Sequence, residues 1–345
     1  MRGHRRPGRD GFPGAGKPYL LQCLRAGGSD RPGQRARRGR PAAPGRSGRD
    51  RGECGARGRL SFDDAIIHVI AADARRRLRA GFRRRAAGTA AGRRGALYVA
   101  GASEPRLLFV HGAFHGAWCF GAWMQCLDEI GIASAALDLA GHGFLANEAL
   151  PLTTTLDDYA EAIVEAASLP RRGLTVVGHS LGALAVARAA ARIEFAGIVL
   201  LAPSPPGNLP GAARVAGVAP GEPVAPPAYE LALQRYLGGQ ARAWSEHWYR
   251  LLGRESPAAL NDRYTLGLAV DPAPLARKTH VVSAGLDDPA RHPEGQDAAI
   301  ARFYGASYRL LADAPHCLML GPHSALALAE VLDWHRRPGG GVTPR

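Results

Sequence analysis

The stretch Leu174-Thr175-Val176-Val177-Gly178-His179-Ser180-Leu181-Gly182 sets one serine between two glycines, after an apolar run and before the small residues Ala183 to Ala187. A strand that turns sharply into a helix at a Gly-x-Ser-x-Gly sequence holds its serine on a strained turn and exposes the hydroxyl above the sheet edge. Side chains at Gly178 and Gly182 are expected to collide with the neighbouring strand and helix. A helix beginning after Ser180 also favours negative charge developing beside it. The chemistry these residues suit is attack by the Ser180 hydroxyl on a carbonyl carbon.

A serine hydroxyl is a weak nucleophile. It needs a base, and the base needs an orienting carboxylate. In this arrangement both follow the serine, acid first. Of the 12 histidines, His280, His292, His316, His323 and His335 lie C-terminal to residue 278. His280 falls inside a strand pattern, His323 opens the last helix and His335 lies near its end. His292 stands in a Pro-bounded polar loop and is the one rival. His316, in Leu311-Ala312-Asp313-Ala314-Pro315-His316, follows the last strand at the edge where Ser180 emerges, and it is the expected base. The acid belongs in the preceding loop, Gly285-Leu286-Asp287-Asp288-Pro289, where spacing alone does not separate the two aspartates.

The electrophilic half of such a site is expected in Leu107-Leu108-Phe109-Val110-His111-Gly112-Ala113-Phe114. The N–H groups of Ala113 and Leu181 could point at one spot beside Ser180 and form an oxyanion hole, each donor worth roughly 3 to 4 kcal/mol in the transition state. His111 is expected to brace this loop. The His111-x3-His115 spacing mimics a zinc pair, but it falls on a strand end and loop rather than on one helix face, and there is no HExxH. Neither a metal nor another cofactor is expected.

The elements that must position these residues are legible from Ala96 onward. Strand patterns at 96–100, 106–110, 133–139, 174–177, 197–201, 280–284 and 308–312 alternate with helical ones near 116–130, 156–168, 181–192, 293–304 and 323–336. This is the mark of an α/β fold with a mostly parallel sheet flanked by helices. The last helix carries Leu326, Leu328, Val331, Leu332 and Trp334 as an expected buried stripe. Residues 204–278 break the alternation. They begin Pro-rich and then read as helices near 228–237, 242–252 and 256–267, a short helical lid between two core segments, 96–203 and 279–337. Tyr229, Tyr236, Trp244, Trp248, Tyr249 and Tyr264 either line an apolar pocket beneath this lid or anchor it to the body.

Composition bounds the rest. The 345 residues are 46% hydrophobic, enough for a large core. No run approaches the roughly 18 to 20 apolar residues of a membrane-spanning helix. Five cysteines without paired spacing argue against a disulfide scaffold. The net charge of +14 divides unevenly: residues 1–105 hold 25 Lys and Arg against 8 Asp and Glu, and residues 106–345 hold 19 against 22. Residues 1–58 are Arg, Gly, Pro and Ala without apolar periodicity and read as disordered. Residues 61–86 read as one basic helix, and 338–345 as a flexible tail. Without a signal-peptide pattern the expected location is cytoplasmic, with an Arg-rich transit peptide as the alternative. Nucleic-acid binding by the basic third is disfavoured, because 42 of the 44 basic residues are arginine, a bias that fits genomic composition better than phosphate contact.

About 106–336 resembles the α/β-hydrolase superfamily. His111-Gly112-Ala113-Phe114-His115-Gly116-Ala117-Trp118-Cys119 looks like the branch of small serine esterases and hydroxynitrile lyases. Asp138-Leu139-Ala140-Gly141-His142-Gly143 is similar to the family's Asp-x-x-Gly-x-Gly turn, and Pro315-His316-Cys317-Leu318-Met319-Leu320 to its histidine loop. The resemblance implies Asp288, at the fourth position of a Gly-x-x-Asp turn, as the acid, with Asp287 in reserve. The serine at 180 argues against the dehalogenase and epoxide-hydrolase branches, whose nucleophile is an aspartate. The family's first strand hairpin has no evident counterpart before Ala96. The expectation is a cofactor-free serine hydrolase with Ser180, His316 and Asp288 as triad, acting through an acyl-enzyme on a small or medium, largely apolar ester. The alternatives are non-hydrolytic or carbon–carbon-cleaving use of the same triad, and a ligand receptor that retains it. Substrate and oligomeric state are not legible.

Overall fold

The computed structural model describes residues 83–87, 95–101, 103–146, 150–168 and 173–337. The expected disordered segment 1–58, most of the expected helix at 61–86 and the tail 338–345 lie outside the described residues. The C-terminal end of that helix is corrected. Arg83–Ala87 is a strand, β1, paired antiparallel with β2 (Gly95–Ala100), from Arg83 opposite Val99 to Ala87 opposite Gly95. This pair is the hairpin that appeared to be missing. Three consecutive arginines carry no apolar alternation, so only pairing to the neighbouring strand marks them as β.

The remaining elements follow the alternating pattern. They are β3 (Leu107–Val110), a 3₁₀ turn (Ala117–Phe120) leading into α1 (Gly121–Glu129), β4 (Ser134–Leu139), α2 (Leu156–Ala167), β5 (Thr175–His179), α3 (Leu181–Ala189) and β6 (Gly197–Leu201). After the long β6–β7 connection come β7 (Thr279–Ala284), α7 (Gln296–Phe303), β8 (Ser307–Leu311) and α8 (Ser324–His335). The connection itself holds α4 (Tyr229–Ala232), which runs into a π-turn over Leu233–Leu237, then α5 (Arg242–Tyr249) and α6 (Pro257–Tyr264).

The eight strands form one sheet in the order β1-β2-β4-β3-β5-β6-β7-β8. β2 runs antiparallel to β4, and every pair from β4 to β8 is parallel. The inner parallel strands β3, β5 and β6 are buried along their whole length because both faces are covered, whereas the edge strand β8 is largely exposed. Leu107 and Phe109 of β3 pack into the core on one face, Leu108 and Val110 into the core on the other, and Val199 and Leu201 separate from Ile198 and Leu200 in the same way. α1 and α8 cover the first face and α2, α3 and α7 the second. Four of the five stripe residues of α8 are buried; Leu326 is exposed. Thr155 starts α2 with a capping box, its side chain and that of Asp158 satisfying each other's backbone N–H groups.

Chain direction places the site. β3 lies between β4 and β5, so the connections leaving β3 and β5 depart to opposite sides and a crevice opens at their C-terminal ends. No helix among the described residues is long and apolar enough to cross a membrane.

Candidate active site

Ser180 stands between β5 and α3 with φ 51° and ψ −117°, a strained conformation for a residue with a side chain. The flanking glycines are required by contact. A Cβ on Gly182 would lie 2.1 Å from the His111 carbonyl oxygen, and one on Gly178 would lie 2.7 Å from Ala183 Cα. The turn is locked by backbone hydrogen bonds: Ser180 N–H donates to Leu201 O at 2.9 Å, and Ser180 O accepts from Ala183 and Ser204. Strain at Ser180 is thus imposed by the sheet and α3 together.

His316 follows β8 and is buried. Its Nδ1–H donates to Asp287 Oδ2 at 2.7 Å, the loop of Asp287 following β7. Asp287 Oδ1 accepts from the Asp288 amide at 2.8 Å. Burial works against ionisation of Asp287, but the His316 and His292 imidazoles and these hydrogen bonds hold its carboxyl below the usual range. The structure therefore corrects the expected acid: the partner of His316 is Asp287. The Asp288 side chain instead accepts from the Ala290 amide at 3.0 Å and faces Arg235 and Arg291. Two adjacent carboxylates on one turn point in different directions, and backbone geometry rather than spacing decides which meets the imidazole.

Two further histidines pack on His316. His179, the residue before Ser180, donates from Nε2 to the His316 carbonyl at 3.0 Å, and its ring lies 4.8 Å from the His316 ring. Burial, then the neighbouring His316 and His115, push His179 well below the ordinary imidazole range, so it stays neutral. His292 lies 4.9 Å from His316 ring to ring, with Nδ1 3.7 Å from Asp287 Oδ2 and 3.5 Å from Asp297 Oδ1. Burial opposes its charge, but Asp287 and Asp297 outweigh it and raise its pKa. The rival base of the sequence thus shares the same aspartate. Donor atoms of Asp287, His292 and His316 lie within 4.8 Å of one another, a spacing accounted for by the hydrogen-bonded pair and the second imidazole behind it.

On the opposite wall, Ala113 and Leu181 line the same cleft as Ser180 and His316. Leu181 opens α3, where backbone N–H groups have no intrahelical acceptor. His111 braces the adjoining loop. Its Nδ1–H donates to Gly112 O at 2.9 Å, while Nε2 accepts from Leu139 N–H at 3.1 Å, so it is a neutral imidazole with both nitrogens engaged. His115 Nδ1 donates to Ala113 O at 2.8 Å and its Nε2 faces Cys317 Sγ at 3.4 Å. Phe114 takes a left-handed φ of 65°. It is held from the β6–β7 connection, its N–H donating to Glu255 and its carbonyl accepting from Gly253 N–H at 2.7 Å.

Glu255 was not singled out by sequence, since one glutamate in a polar segment carries no motif. It is 1% exposed and receives Tyr159 Oη at 2.6 Å and the Ser256 amide at 2.8 Å. His142 donates to it from Nε2 at 3.1 Å while donating from Nδ1 to Ala140 O at 2.9 Å. With both nitrogens donating, His142 is an imidazolium. Burial opposes both charges, but each holds the other: the His142 pKa is raised and that of Glu255 lowered.

The aromatic set divides. Tyr236 and Tyr264 line the cleft. Trp248 stacks on Trp118, with centroids 5.6 Å apart and planes at 12°, and so anchors the connection to the body, while Tyr229 packs against Tyr249 within the connection. The cleft, about 500 Å³ including its open mouth, is lined by Arg235, Arg263 and Arg291 beside the two tyrosines and the apolar Ala113, Leu181 and Leu260.

Residues 107–330 match the Alpha/beta hydrolase family. Methylesterase 2 of Arabidopsis thaliana is 37% identical over 88 residues, covering 25% of this chain and 34% of that protein. Probable esterase PIR7A of Oryza sativa subsp. indica is 37% identical over 99 residues, 28% of this chain and 37% of that protein. The chain thus matches little more than a third of the length of these relatives. The crystal structure of the methylesterase MES16 from Arabidopsis superposes with a TM-score of 0.54 at 23% identity, over 67% of this chain and 98% of that one, a likeness of fold.

Proposed function

From the premise that this chain belongs to the alpha/beta hydrolase family, we propose that it is a serine esterase whose triad is Ser180, His316 and Asp287. The observation that carries the reading is the His316–Asp287 hydrogen bond of 2.7 Å in the cleft lined by the strained Ser180. With its Nδ1 proton committed to Asp287, His316 has Nε2 free in tautomer to take a proton. Ser180 Oγ bonds to the ester carbonyl carbon as its proton passes to His316. The oxyanion is received by the Ala113 and Leu181 amides. The intermediate collapses, the alkoxide leaves with the proton from His316, and an acyl-Ser180 remains. Water attacks that acyl carbon by the same relay, releasing the acid and restoring the Ser180 hydroxyl. Asp287 stabilises the imidazolium of each step. The β6–β7 connection serves as the lid, and the substrate is a small molecule. The esterase names of the partial relatives support the ester as reactant.

The test is covalent labelling with a fluorophosphonate, followed by turnover on methyl and p-nitrophenyl esters and on a cyanohydrin. Labelling at Ser180, lost in Ser180→Ala, with ester turnover is expected. Labelling elsewhere would reject the nucleophile, and cyanohydrin cleavage without ester hydrolysis would move the chain to lyase chemistry.

A further inference from the structure

Three guanidinium groups line the cleft, and one carboxylate answers two of them. Asp288 Oδ2 lies 3.4 Å from Arg235 Nε and 3.8 Å from Arg291 Nε. Both Nε atoms are buried without a hydrogen-bond partner, so the contacts are ionic and leave donor capacity unspent. The other nearby carboxylates face elsewhere: Asp287 onto His316, and Asp297 onto Ser283 at 2.9 Å and toward His292. Arg263, 3% exposed, donates only to the Ala213 and Arg291 carbonyls, each at 3.0 Å, and feels Asp297 through space.

The groups are held in place. Arg235 and Tyr236 sit in the π-turn, a distortion that recurs at functional sites. Arg291 lies over the Tyr264 ring, 4.8 Å from its centroid, which fixes the plane of its fork. A plain ionic staple between the β6–β7 connection and the β7 loop would need one guanidinium opposite Asp288. Two there, with Arg263 beside them, leave more cationic charge at the half-buried cleft wall than the one carboxylate balances.

We infer that Arg235 and Arg291 form a carboxylate-recognition subsite beside Ser180, so that the ester taken by this cleft carries a second, free carboxylate. This rests on the serine-esterase reading. Asp288 leaves one positive charge over from the pair, which a singly charged carboxylate balances and a dianionic phosphate exceeds. The guanidinium fork matches the two carboxylate oxygens.

The full-length protein is assayed on monomethyl esters of the dicarboxylic acids from succinate to suberate, each against its dimethyl ester. At the best chain length the monoester is expected to lead in kcat/KM by at least about tenfold, the range of a charge-assisted hydrogen bond. That ratio is expected to collapse in Arg235→Gln and Arg291→Gln and to recover in part in Arg291→Lys. Preference for the dimethyl ester at every length, or a ratio that survives both glutamine variants, would overturn the subsite. Calorimetry of Ser180→Ala with glutarate, dimethyl glutarate and inorganic phosphate reads the subsite without turnover. Binding of glutarate alone supports it even if no ester is hydrolysed. Equal binding of the neutral diester, or phosphate binding as tightly as glutarate, would refute it.

Discussion

The loops after β5, β7 and β8 and the long β6–β7 connection face one cleft, yet they are held by different forces. The loops are fixed by backbone: Ser180 N–H bonds to Leu201 O, Gly285 N–H to Leu311 O at 2.9 Å, and glycines at 178, 182 and 285 sit where any Cβ would strike main-chain atoms. Beyond the backbone bonds of Gly253 to Phe114 and of Ser204 to Ser180, the connection is fixed by side chains: the Trp118–Trp248 stack, the aspartate–arginine contacts, and Glu255 joined to His142, Tyr159 and Phe114. Backbone hydrogen bonds to a central sheet tolerate little displacement, so Ser180, Asp287 and His316 keep their geometry. Side-chain contacts can be exchanged one at a time, so this wall of the cleft can change without disturbing the turn at Ser180.

Breaking the loop side should give the largest effect. Asp287→Asn is expected to lower kcat by about 10⁴-fold by losing the His316 tautomer, measured on the best ester. Asp288→Asn should lower turnover on a neutral ester by less than about tenfold. Equal losses would erase the distinction between the two carboxylates.

Trp248→Ala removes a buried indole from the anchor of the connection and should cost about 3–5 kcal/mol by chemical denaturation. A cost below about 1 kcal/mol would mean that the stack does not hold this segment. Glu255→Gln should cost about 3 kcal/mol by stranding the His142 charge, with a pH signature. Glu255 has a lowered folded pKa, so its contribution is complete above its ordinary value of 4.5 and is lost as pH falls through the folded one. His142 has a raised folded pKa, so its contribution is complete below 6.5 and is lost as pH rises through the folded one. The stability difference between wild type and Glu255→Gln should therefore be largest between pH 4.5 and 6.5 and shrink on both sides. A difference independent of pH would show that the pair is not ionised.

Most of the fold was legible because its signals are local. Seven strands were read to within about two residues at each end from apolar runs, and the eight helices of the described residues from periodicity and turn residues. β1 was not, because Arg83-Arg84-Arg85 is a strand only through its pairing with β2. Of the candidate site, the positions of Ser180 at a strand-to-helix turn and of His316 after the last strand were legible, since both are local patterns. His179, Glu255 and the three arginines were not, because each acquires its partners from segments distant in the chain.

The sequence by itself determined the order of strands and helices from β2 onward, the glycines that the turn at Ser180 demands, and the two short loops that could supply acid and base, because each depends on residues a few positions apart. Only the tertiary structure decided that Asp287 rather than Asp288 meets His316, and that three guanidinium groups join two rings of the connection in lining the cleft. Neighbouring side chains on a turn diverge with the backbone, and a charge takes its role from whatever the folded chain brings within a few ångströms of it.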